Sequence, residues 1–321
     1  MSILLQKPGI LTTVQDLGRY GYRRFGINPS GALDQTAVRL INILLGNDDT
    51  EAVLEMHFPA PQIVFEKAVI ATIGGADLQP ELDDEPVENW RPFFAGKNSI
   101  LKFGRKVTGN RAYLAVKGGF KVDNWLGSSS TNLTAKIGGF QGRKLEAGDR
   151  IDLGQMPSPE KIETCSRISD SLLPHYSQFP TVRVIPGAEF DRLRDKGRDL
   201  LLTENFVISS NSNRMGYRLN GEPISLSEPY EVVSSAASFG TIQLLPDGQL
   251  IVLMADHQTA GGYPRIAHVI THDLPIMAQL GAGDKVAFHL VETDHAEELT
   301  VAFEKELNFL RIGCKFQSNL W

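Results

Sequence analysis

Residues 242–266 read IQLLPDGQLIVLMADHQTAGGYPRI, and this stretch indicates the fold. Two short apolar runs, Ile242–Leu245 and Leu250–Met254, are separated by Pro, Asp and Gly, and a polar, glycine-rich segment follows the second run. Short apolar runs bounded by turn residues are typical of β-strands. The stretch therefore predicts two strands and, after them, a loop that presents polar side chains.

Apolar runs of the same kind recur along the whole chain. The predicted strands are Gln62–Phe65, Ala68–Thr72, Ser99–Phe103, Ala112–Val116, Val182–Ile185, Ile242–Leu245, Leu250–Met254 and Lys285–Val291. Many short strands with few helices favour a barrel or a sandwich over a parallel, doubly wound sheet.

Helical patterns are confined to a few places. The clearest is Asp34–Leu45, where Asp34 can cap the helix, apolar residues recur at helical spacing and Gly46 ends it. Shorter helices are predicted at Phe190–Lys196, Leu274–Leu280 and Ala296–Leu307.

Composition limits the classes of protein to consider. With 321 residues, the chain is long enough for two hydrophobic cores. Its formal charge of −6, without a long basic run, argues against a nucleic-acid partner. The two cysteines, Cys165 and Cys314, fit ordinary reduced thiols, and the sequence shows neither a signal peptide nor an apolar run long enough to span a membrane. We therefore expect a cytoplasmic protein.

The stretch Gln155–Gln178 is polar, carries two prolines and several serines, and shows little strand pattern. It predicts a domain boundary, with one domain at residues 1–160 and the other at 161–321. A short, gapped similarity between Thr13–Ile27 and Met254–Ile266 suggests that the two halves arose by duplication.

Four polar, glycine-rich segments are candidates for a ligand site, although each also fits a plain surface loop or turn. They are Thr12–Asp34, Gly118–Asp149, Ser209–Gly221 and Ala255–Pro264. Asp256 follows an apolar strand, where a carboxylate is costly unless it is paired or solvated, so it is a candidate base or orienting group. The hydroxyls of residues 128–131 and the guanidinium of Arg143 are candidates for binding an anion.

Several common catalytic motifs are absent from the sequence. It contains neither a P-loop for ATP nor the G-x-S-x-G elbow of a serine hydrolase. His268 and His272 are four residues apart but form no HExxH motif. We predict no metal centre built by this chain alone.

Five motifs, in the same order, resemble one known family across nearly the whole chain. They are Pro8–Arg19, Ser30–Asp34, Tyr113–Gly119, Arg214–Leu219 and Gln258–Pro264. The family is that of the C subunit of 5-oxoprolinase, also described as the allophanate hydrolase subunit 2 type or the biotin-dependent carboxyltransferase type. It is similar to part of the carboxyltransferase region of urea amidolyase.

The resemblance implies a mainly β fold with two cyclophilin-like β-barrel domains and a few short helices. It also implies that the chain acts with the A and B subunits of an ATP-dependent 5-oxoprolinase, which cleaves 5-oxo-L-proline to L-glutamate. The B and C subunits would activate the lactam by phosphorylation, because a lactam is a poor electrophile and an iminol phosphate can be attacked by water. ATP, with Mg²⁺, would be shared with a partner subunit.

The motifs suggest positions for the site, and the roles assigned to them are hypotheses. Asp16 and Asp256 are the predicted catalytic residues. The predicted substrate-binding residues are Arg19, Tyr22, Ser30, Arg143, Arg214, Tyr217, Gln258, Thr259 and Tyr263. We expect loops from both halves to converge around one small acidic molecule.

Two other functions remain open. The chain is also consistent with a carboxyltransferase component that acts on urea or an acyl urea with carboxybiotin. The third alternative is a non-catalytic regulator that binds a kinase-inhibitor protein.

Overall fold

The computed structural model describes residues 2–154, 168–228 and 230–319. The chain divides into two compact units. Unit 1 comprises Met1–Arg19, Asp34–Pro174 and Glu304–Trp321, and unit 2 comprises Tyr20–Leu33 and His175–Phe303.

The strands of unit 1 are short, as the turn-bounded apolar runs require. They are β1 (Ser2–Lys7), β2 (Thr12–Gln15), β3 (Val53–His57), β4 (Gln62–Phe65), β5 (Val69–Asp77), β6 (Pro80–Leu82), β7 (Glu85–Pro86), β8 (Phe93–Ala95), β9 (Ile100–Phe103), β10 (Thr108–Val116), β11 (Phe120–Lys121) and β12 (Arg150–Leu153). They form one sheet in the order β11-β12-β1-β4-β9-β6-β7 and another in the order β2-β3-β10-β5-β8.

One buried hydrophobic cluster holds unit 1 together. Ile3 and Phe65 from the first sheet pack in it with Leu54 and Leu114 from the second. Alternation along β3 and β10 turns Glu55 and Tyr113 to the opposite face from these apolar residues, where the two lie opposite each other in register. The core of unit 1 therefore lies between its two sheets.

Helix α1 (Gln35–Leu45) begins and ends where the sequence predicts. The Asp34 side chain accepts a hydrogen bond from the Ala37 N–H at 2.9 Å, and Gly46 takes a left-handed φ of 68° after the last turn. The Tyr113 hydroxyl donates to Glu55 Oε2 at 3.0 Å and accepts from the Asp34 N–H at 2.9 Å. The start of α1 is thus hydrogen-bonded to the second sheet.

Unit 2 contains the closed barrel. Its strands are β13 (Thr181–Pro186), β14 (Phe206–Ile208), β15 (Gly216–Asn220), β16 (Ser235–Ala236), β17 (Thr241–Leu244), β18 (Leu250–Leu253), β19 (Ala260–Gly261), β20 (Arg265–Val269) and β21 (Lys285–Leu290). Seven of them close in the order β13-β20-β17-β18-β15-β14-β21, and β16 pairs with β19 as a separate two-stranded sheet. Barrel residues such as Ile242, Leu244 and Val252 form a second buried cluster.

Three further α-helices are present in the described residues. They are α2 (Asp195–Thr203), α3 (Leu274–Ala278) and α4 (Thr293–Asn319). Single 3-10 turns lie at Arg23–Phe25, Asp170–Leu172, Phe190–Arg192 and Thr271–Asp273. Within the described ranges, none of the helices combines the length and the hydropathy needed to cross a membrane.

All eight predicted strands are present, with ends shifted by a few residues in most cases. The mainly β class and a closed barrel are confirmed, while the strands of unit 1 form two sheets. The predicted boundary between residues 160 and 161, and Cys165, lie outside the described residues, so those predictions stay open. Cys314 lies half-buried on α4.

Two predicted helices differ from the structure. The helix predicted at Phe190–Lys196 is wrong in its extent, because Leu193 is extended and forms a bridge with Leu226, which separates a 3-10 turn from α2. Helix α4 continues well past the predicted end at Leu307, as far as Asn319.

Candidate functional site

In unit 1, the turn formed by residues 128–130 holds Asp16 in place. The Asp16 carboxylate accepts hydrogen bonds from the Gly18 N–H at 2.7 Å, Ser128 Oγ at 2.7 Å and the Ser129 N–H at 2.6 Å. The Ser130 hydroxyl also donates to Asp16 Oδ1 and accepts from the Asp16 N–H at 2.9 Å. The structure thus brings together the first and second predicted segments around the Asp16 carboxylate.

Arg19 lies beside the same turn. Its side chain is buried, donates from Nη2 to the Ser130 carbonyl oxygen, and has its guanidinium carbon 5.2 Å from the centre of the Trp125 ring. Gly138, with a φ of 71°, makes this arrangement possible, because a Cβ there would lie 2.1 Å from the Ser130 carbonyl oxygen and 2.8 Å from Arg19 Nη2. A buried cation therefore stands next to the Asp16 turn.

Arg143, the other arginine predicted in unit 1, has a partner in its own loop. Its guanidinium donates to both Asp149 carboxylate oxygens, at 2.6 Å and 2.8 Å, and lies 5.1 Å from the Phe140 ring centre. The hydrogen bonds to Asp149 raise the pKa of Arg143 and lower the pKa of Asp149. Binding of a ligand by Arg143 stays a prediction.

In unit 2, Arg214 and Asp256 form a buried ion pair. Arg214 donates from Nε to Asp256 Oδ2 at 2.9 Å and from Nη2 to the Gly31 carbonyl oxygen at 2.5 Å. The Ser30 hydroxyl donates to Asp256 Oδ1 at 2.6 Å, and the Asn28 amide donates to the Asp256 carbonyl oxygen at 3.0 Å. Three of the predicted residues, Ser30, Arg214 and Asp256, are thus in direct contact.

Strand pairing explains why Arg214 meets Asp256. Gly216 of β15 pairs with Leu253 of β18, and the pairing continues beyond the strands through the hydrogen bond from the Asp256 N–H to the Arg214 carbonyl oxygen at 2.9 Å. Both residues leave the barrel at the same place because their strands are antiparallel neighbours. The third and fourth predicted segments therefore meet at one end of the barrel.

The two predicted tyrosines near these segments occupy different environments. Tyr217 is fully buried in the barrel core, and its hydroxyl lies 3.4 Å from the Ala278 carbonyl oxygen. Tyr22 is half-buried and directly precedes the 3-10 turn at Arg23–Phe25. Contact of either tyrosine with a ligand stays a prediction.

The last predicted segment presents side chains to solvent. Gln258 and Tyr263 are exposed, and Thr259 is half-buried. Tyr263 lines a cavity of about 550 Å³ in unit 2, together with Leu226, Tyr230 and Pro246. These three side chains, like that of Tyr22, are placed to touch a molecule that arrives from solvent.

His257 lies between Asp256 and this exposed segment. It is almost fully buried, and its Nδ1 lies 2.7 Å from the Gln258 carbonyl oxygen. A carbonyl oxygen can only accept, so Nδ1 carries the proton. Burial lowers the pKa of His257, and the nearby Arg23 guanidinium lowers it further, although the hydrogen bond to Gln258 opposes the shift.

Sequence reasoning missed Gln243. It is buried on β17, and alternation points it away from the barrel core that receives Ile242 and Leu244. Its Nε2 has no hydrogen-bond partner among the described residues and lies 2.6 Å from where a Cβ would stand on Gly261. A glutamine in an otherwise ordinary strand gives no local signal of such a position.

The predicted residues fall into two groups, one in each unit. Asp16 and Arg19 share the turn at residues 128–130, while Ser30, Arg214 and Asp256 share the end of the barrel. The Asn28 amide was not among the predicted site residues. The hydroxyls of residues 128–131 were predicted as candidates for binding an anion, and those of Ser128 and Ser130 donate to Asp16. Convergence of the two groups on one molecule stays a prediction.

Residues 25–290 match the family model described as the carboxyltransferase domain, subdomain A and B. The chain belongs to this family. The match covers most of both predicted halves and contains the Arg214–Asp256 pair, whereas α4 begins after it.

Two curated relatives are similar to the chain over nearly their whole length. The protein from Haemophilus influenzae that is named as the C subunit of 5-oxoprolinase is 38% identical over 299 residues, which are 93% of this chain and 94% of the relative. The protein of the same name from Escherichia coli is 36% identical over 314 residues, 97% of this chain and 98% of the relative. Both relatives are thus named as parts of an enzyme.

Larger relatives contain a similar region. Urea amidolyase of Saccharomyces cerevisiae is 30% identical over 302 residues, which are 89% of this chain but only 16% of that protein. The crystal structure of urea amidolyase from K. lactis superposes with a TM-score of 0.90 at 27% identity and covers 96% of this chain and 20% of that one. The fold is therefore shared with one part of a much longer protein.

Proposed function

We propose that this chain is the C subunit of an ATP-dependent 5-oxoprolinase, which cleaves 5-oxo-L-proline to L-glutamate together with its A and B subunits. The observation that carries the proposal is the match of nearly the whole chain to nearly the whole length of two proteins named as the C subunit of 5-oxoprolinase. We further propose that the assembly works in the cytoplasm.

The chemistry assigns distinct tasks to two sets of residues in unit 2. A lactam oxygen that is being phosphorylated and a substrate carboxylate both need hydrogen-bond donors and positive charge. Gln258 and Thr259 supply donors near the surface of unit 2. The Arg214–Asp256 pair positions Gln258 and Thr259. Asp256 is two residues from Gln258, and it is held by hydrogen bonds from the side chains of Arg214, Ser30 and Asn28.

The Asp256 carboxylate already accepts hydrogen bonds from two side chains, Arg214 and Ser30. Such hydrogen bonds hold the carboxylate in one position. The same holds for Asp16, which accepts four hydrogen bonds from its own unit. We therefore assign both acids to the positioning of neighbouring groups.

The Mg²⁺ that accompanies ATP is not held by these acids alone. In the part of the chain that the structure describes, no three His, Cys, Asp or Glu side chains are grouped as metal ligands. Asp256 already faces Arg214 at 2.9 Å, a cation that competes with a metal for the same oxygen. We propose that the B subunit supplies the principal ligands of the nucleotide and its metal.

The deciding experiment is reconstitution with the cognate A and B subunits. Release of L-glutamate from 5-oxo-L-proline is measured with and without ATP, and we expect release only with ATP and all three chains. A folded complex of the three chains that releases no glutamate would overturn the proposal.

A carboxyltransferase component is the second candidate function. It is supported by the TM-score of 0.90 to urea amidolyase and by the family description. Transfer of the carboxyl group from carboxybiotin to urea by this chain, with no glutamate released from 5-oxo-L-proline, would support the carboxyltransferase function instead.

A further inference from the structure

Two buried polar groups in unit 2 have no hydrogen-bond partner within the described residues. Gln243 is 1% exposed, and its Nε2 donates to no acceptor there. The Ser235 hydroxyl is buried in the same unpartnered state. Because a buried donor without an acceptor costs free energy, proteins usually keep one only where water or a ligand satisfies it. These two groups therefore indicate a place where a ligand binds.

Both groups lie on the same side of Gly261. Ser235 of β16 pairs with Gly261 of β19, and the side chains of directly opposed residues leave a strand pair on the same face. On the side where the Gly261 Cβ would stand, Gln243 Nε2 lies 2.6 Å from that Cβ position. A larger residue at position 261 would push the amide away, so the glycine lets Gln243 lie against the β16–β19 pair.

A second amide, that of Gln258, reaches the same position. Its Nε2 lies 3.5 Å from where the Gly261 Cβ would stand. Among the described atoms outside Gly261 and its two chain neighbours, those of these two amides are the nearest to that position. Both nitrogens are donors, and they are close enough for one acceptor atom to bond with both at about 3 Å. The arrangement is a pair of converging donors.

The charges around these donors favour a neutral acceptor. Arg265, which lies opposite Gln243 in register, donates to both Glu189 carboxylate oxygens, at 3.2 Å and 3.0 Å. Its charge is therefore already balanced, and the amides and the Ser235 hydroxyl are neutral. A carboxylate placed on neutral donors alone loses much of its solvation energy, whereas a neutral carbonyl oxygen needs only the donors. The acceptor that fits is the oxygen of an amide.

We propose that Gln243 and Gln258 bind the carbonyl oxygen of a neutral amide, which in the proposed function is the lactam oxygen of 5-oxo-L-proline. The identity of the substrate rests on the proposed function, while the amide site itself does not. Because Gln258 is exposed and Gln243 is buried, the oxygen enters from the side of Gln258, whose side chain turns to admit it. Binding there fixes the orientation of the lactam ring.

The test compares Gln243→Met with the wild-type chain, each assembled with the A and B subunits. Methionine keeps the length of the side chain and removes the amide. Binding of 5-oxo-L-proline is measured by calorimetry, and we expect the dissociation constant to rise about tenfold or more. Gln249→Met is the matched control, because the Gln249 amide bonds with the N–H and the carbonyl oxygen of Gly221, at 3.1 Å and 3.2 Å. It should bind the substrate like the wild type.

Thermal denaturation of the ligand-free chain separates a binding role from a structural one. Gln243→Met removes an unpartnered donor, so the melting temperature should stay the same or rise by a few degrees. Gln249→Met loses two hydrogen bonds and should melt at a lower temperature. If Gln243→Met does not fold, Gly261→Ala takes its place, since the added Cβ turns the Gln243 amide away without removing it. The same loss of binding is expected.

Two analogues show which oxygen the amides bind. 2-Pyrrolidinone keeps the lactam carbonyl and lacks the carboxylate, while L-proline keeps the carboxylate and lacks the lactam oxygen. Gln243→Met should weaken the binding of 2-pyrrolidinone and leave that of L-proline unchanged. The reverse result would assign the amides to the carboxylate and overturn the proposal.

Three further results would overturn it. One is a folded Gln243→Met variant with wild-type affinity, which would leave the amide to a buried water. Another is a loss of binding together with a large fall in melting temperature, which would show a structural role. The third is a wild-type complex that binds neither 5-oxo-L-proline nor 2-pyrrolidinone. A complex that binds 5-oxo-L-proline through Gln243 but releases no glutamate would refute the proposed function and support the amide site.

Discussion

Arg214 Nε lies 2.9 Å from Asp256 Oδ2, and both side chains are more than 90% buried. The same guanidinium holds the Gly31 carbonyl oxygen, and the same carboxylate holds the Ser30 hydroxyl. One ion pair therefore fastens the segment at residues 28–31 to the ends of β15 and β18.

Replacement of Asp256 by alanine should destabilise the chain strongly. It leaves the buried Arg214 without its carboxylate, and loss of one partner of a buried ion pair costs about 3–5 kcal/mol. Urea denaturation measures the change in the free energy of unfolding. The control is Glu88→Ala, which removes the exposed partner of Arg91 and should cost less than about 1 kcal/mol. An equal loss of stability in the two variants would show that the buried Arg214–Asp256 pair contributes no more than an exposed ion pair.

Ser130→Ala should weaken the Asp16 turn, and Ser129→Ala should not. The Ser130 hydroxyl makes two hydrogen bonds with Asp16, whereas Ser129 contributes only its backbone N–H, which alanine keeps. We expect a loss of about 1–3 kcal/mol for Ser130→Ala and nearly none for Ser129→Ala. Thermal denaturation gives the stability, and glutamate release by the three-subunit complex gives the activity. An inactive Ser129→Ala variant would point to a role for its hydroxyl that the hydrogen bonds do not show.

Gly138→Ala, beside Arg19, should lower the free energy of unfolding more than Gly127→Ala does. Both glycines have a left-handed φ, 71° and 78°, so both substitutions carry a backbone cost of about 1–2 kcal/mol. At Gly138 the new Cβ would also meet the Ser130 carbonyl oxygen at 2.1 Å, but at Gly127 nothing lies within 4 Å. The extra cost should be about 1–3 kcal/mol by chemical denaturation. Equal effects would contradict the crowding at Gly138.

Stability should fall with pH below 6.5, and His257 should account for part of the fall. Burial lowers the pKa of His257 below its ordinary value of 6.5, so the unfolded chain takes up a proton at a higher pH than the folded chain does. Its contribution is therefore complete above pH 6.5 and is lost as the pH falls toward the lowered pKa.

The measurement is the free energy of unfolding at about pH 7.5 and about pH 5.5. The decrease should be smaller in His257→Gln than in the wild type, because glutamine takes up no proton in this pH range. Burial also lowers the pKa of His268, so part of the decrease should persist in this variant. His295→Gln, a substitution at an exposed residue, should leave the decrease unchanged. If the decrease in His257→Gln equals that of the wild type, His257 does not contribute to the loss of stability at low pH.

Elements that depend on short stretches of chain were predicted well. β4 matches its predicted range at both ends, and α1 starts at the predicted Asp34 cap and ends at Gly46. Helix α4 was predicted too short, because part of what holds the helix beyond Leu307 is distant in sequence: Arg311 binds Asp49. No periodicity within residues 293–319 reveals that partner.

For the candidate site, the sequence likewise predicted some features and missed others. The sequence indicated Asp16, Ser30, Arg214 and Asp256 as site residues, because polar side chains in glycine-rich segments stand out from the apolar strands around them. It gave no sign that Arg143 is engaged by Asp149 or that Gln243 is buried against Gly261.

The sequence by itself determined the mainly β class, the strand positions and the segments that carry polar groups, since these follow from patterns a few residues long. Only the tertiary structure decided which polar groups meet. Ser30 and Asp256 are 226 residues apart and Asp16 and Ser130 are 114 apart, and such pairs form only after strand register has set the distance between them. The physical reason is that a local pattern fixes the direction of a side chain, whereas its partner is fixed by the packing of the whole unit.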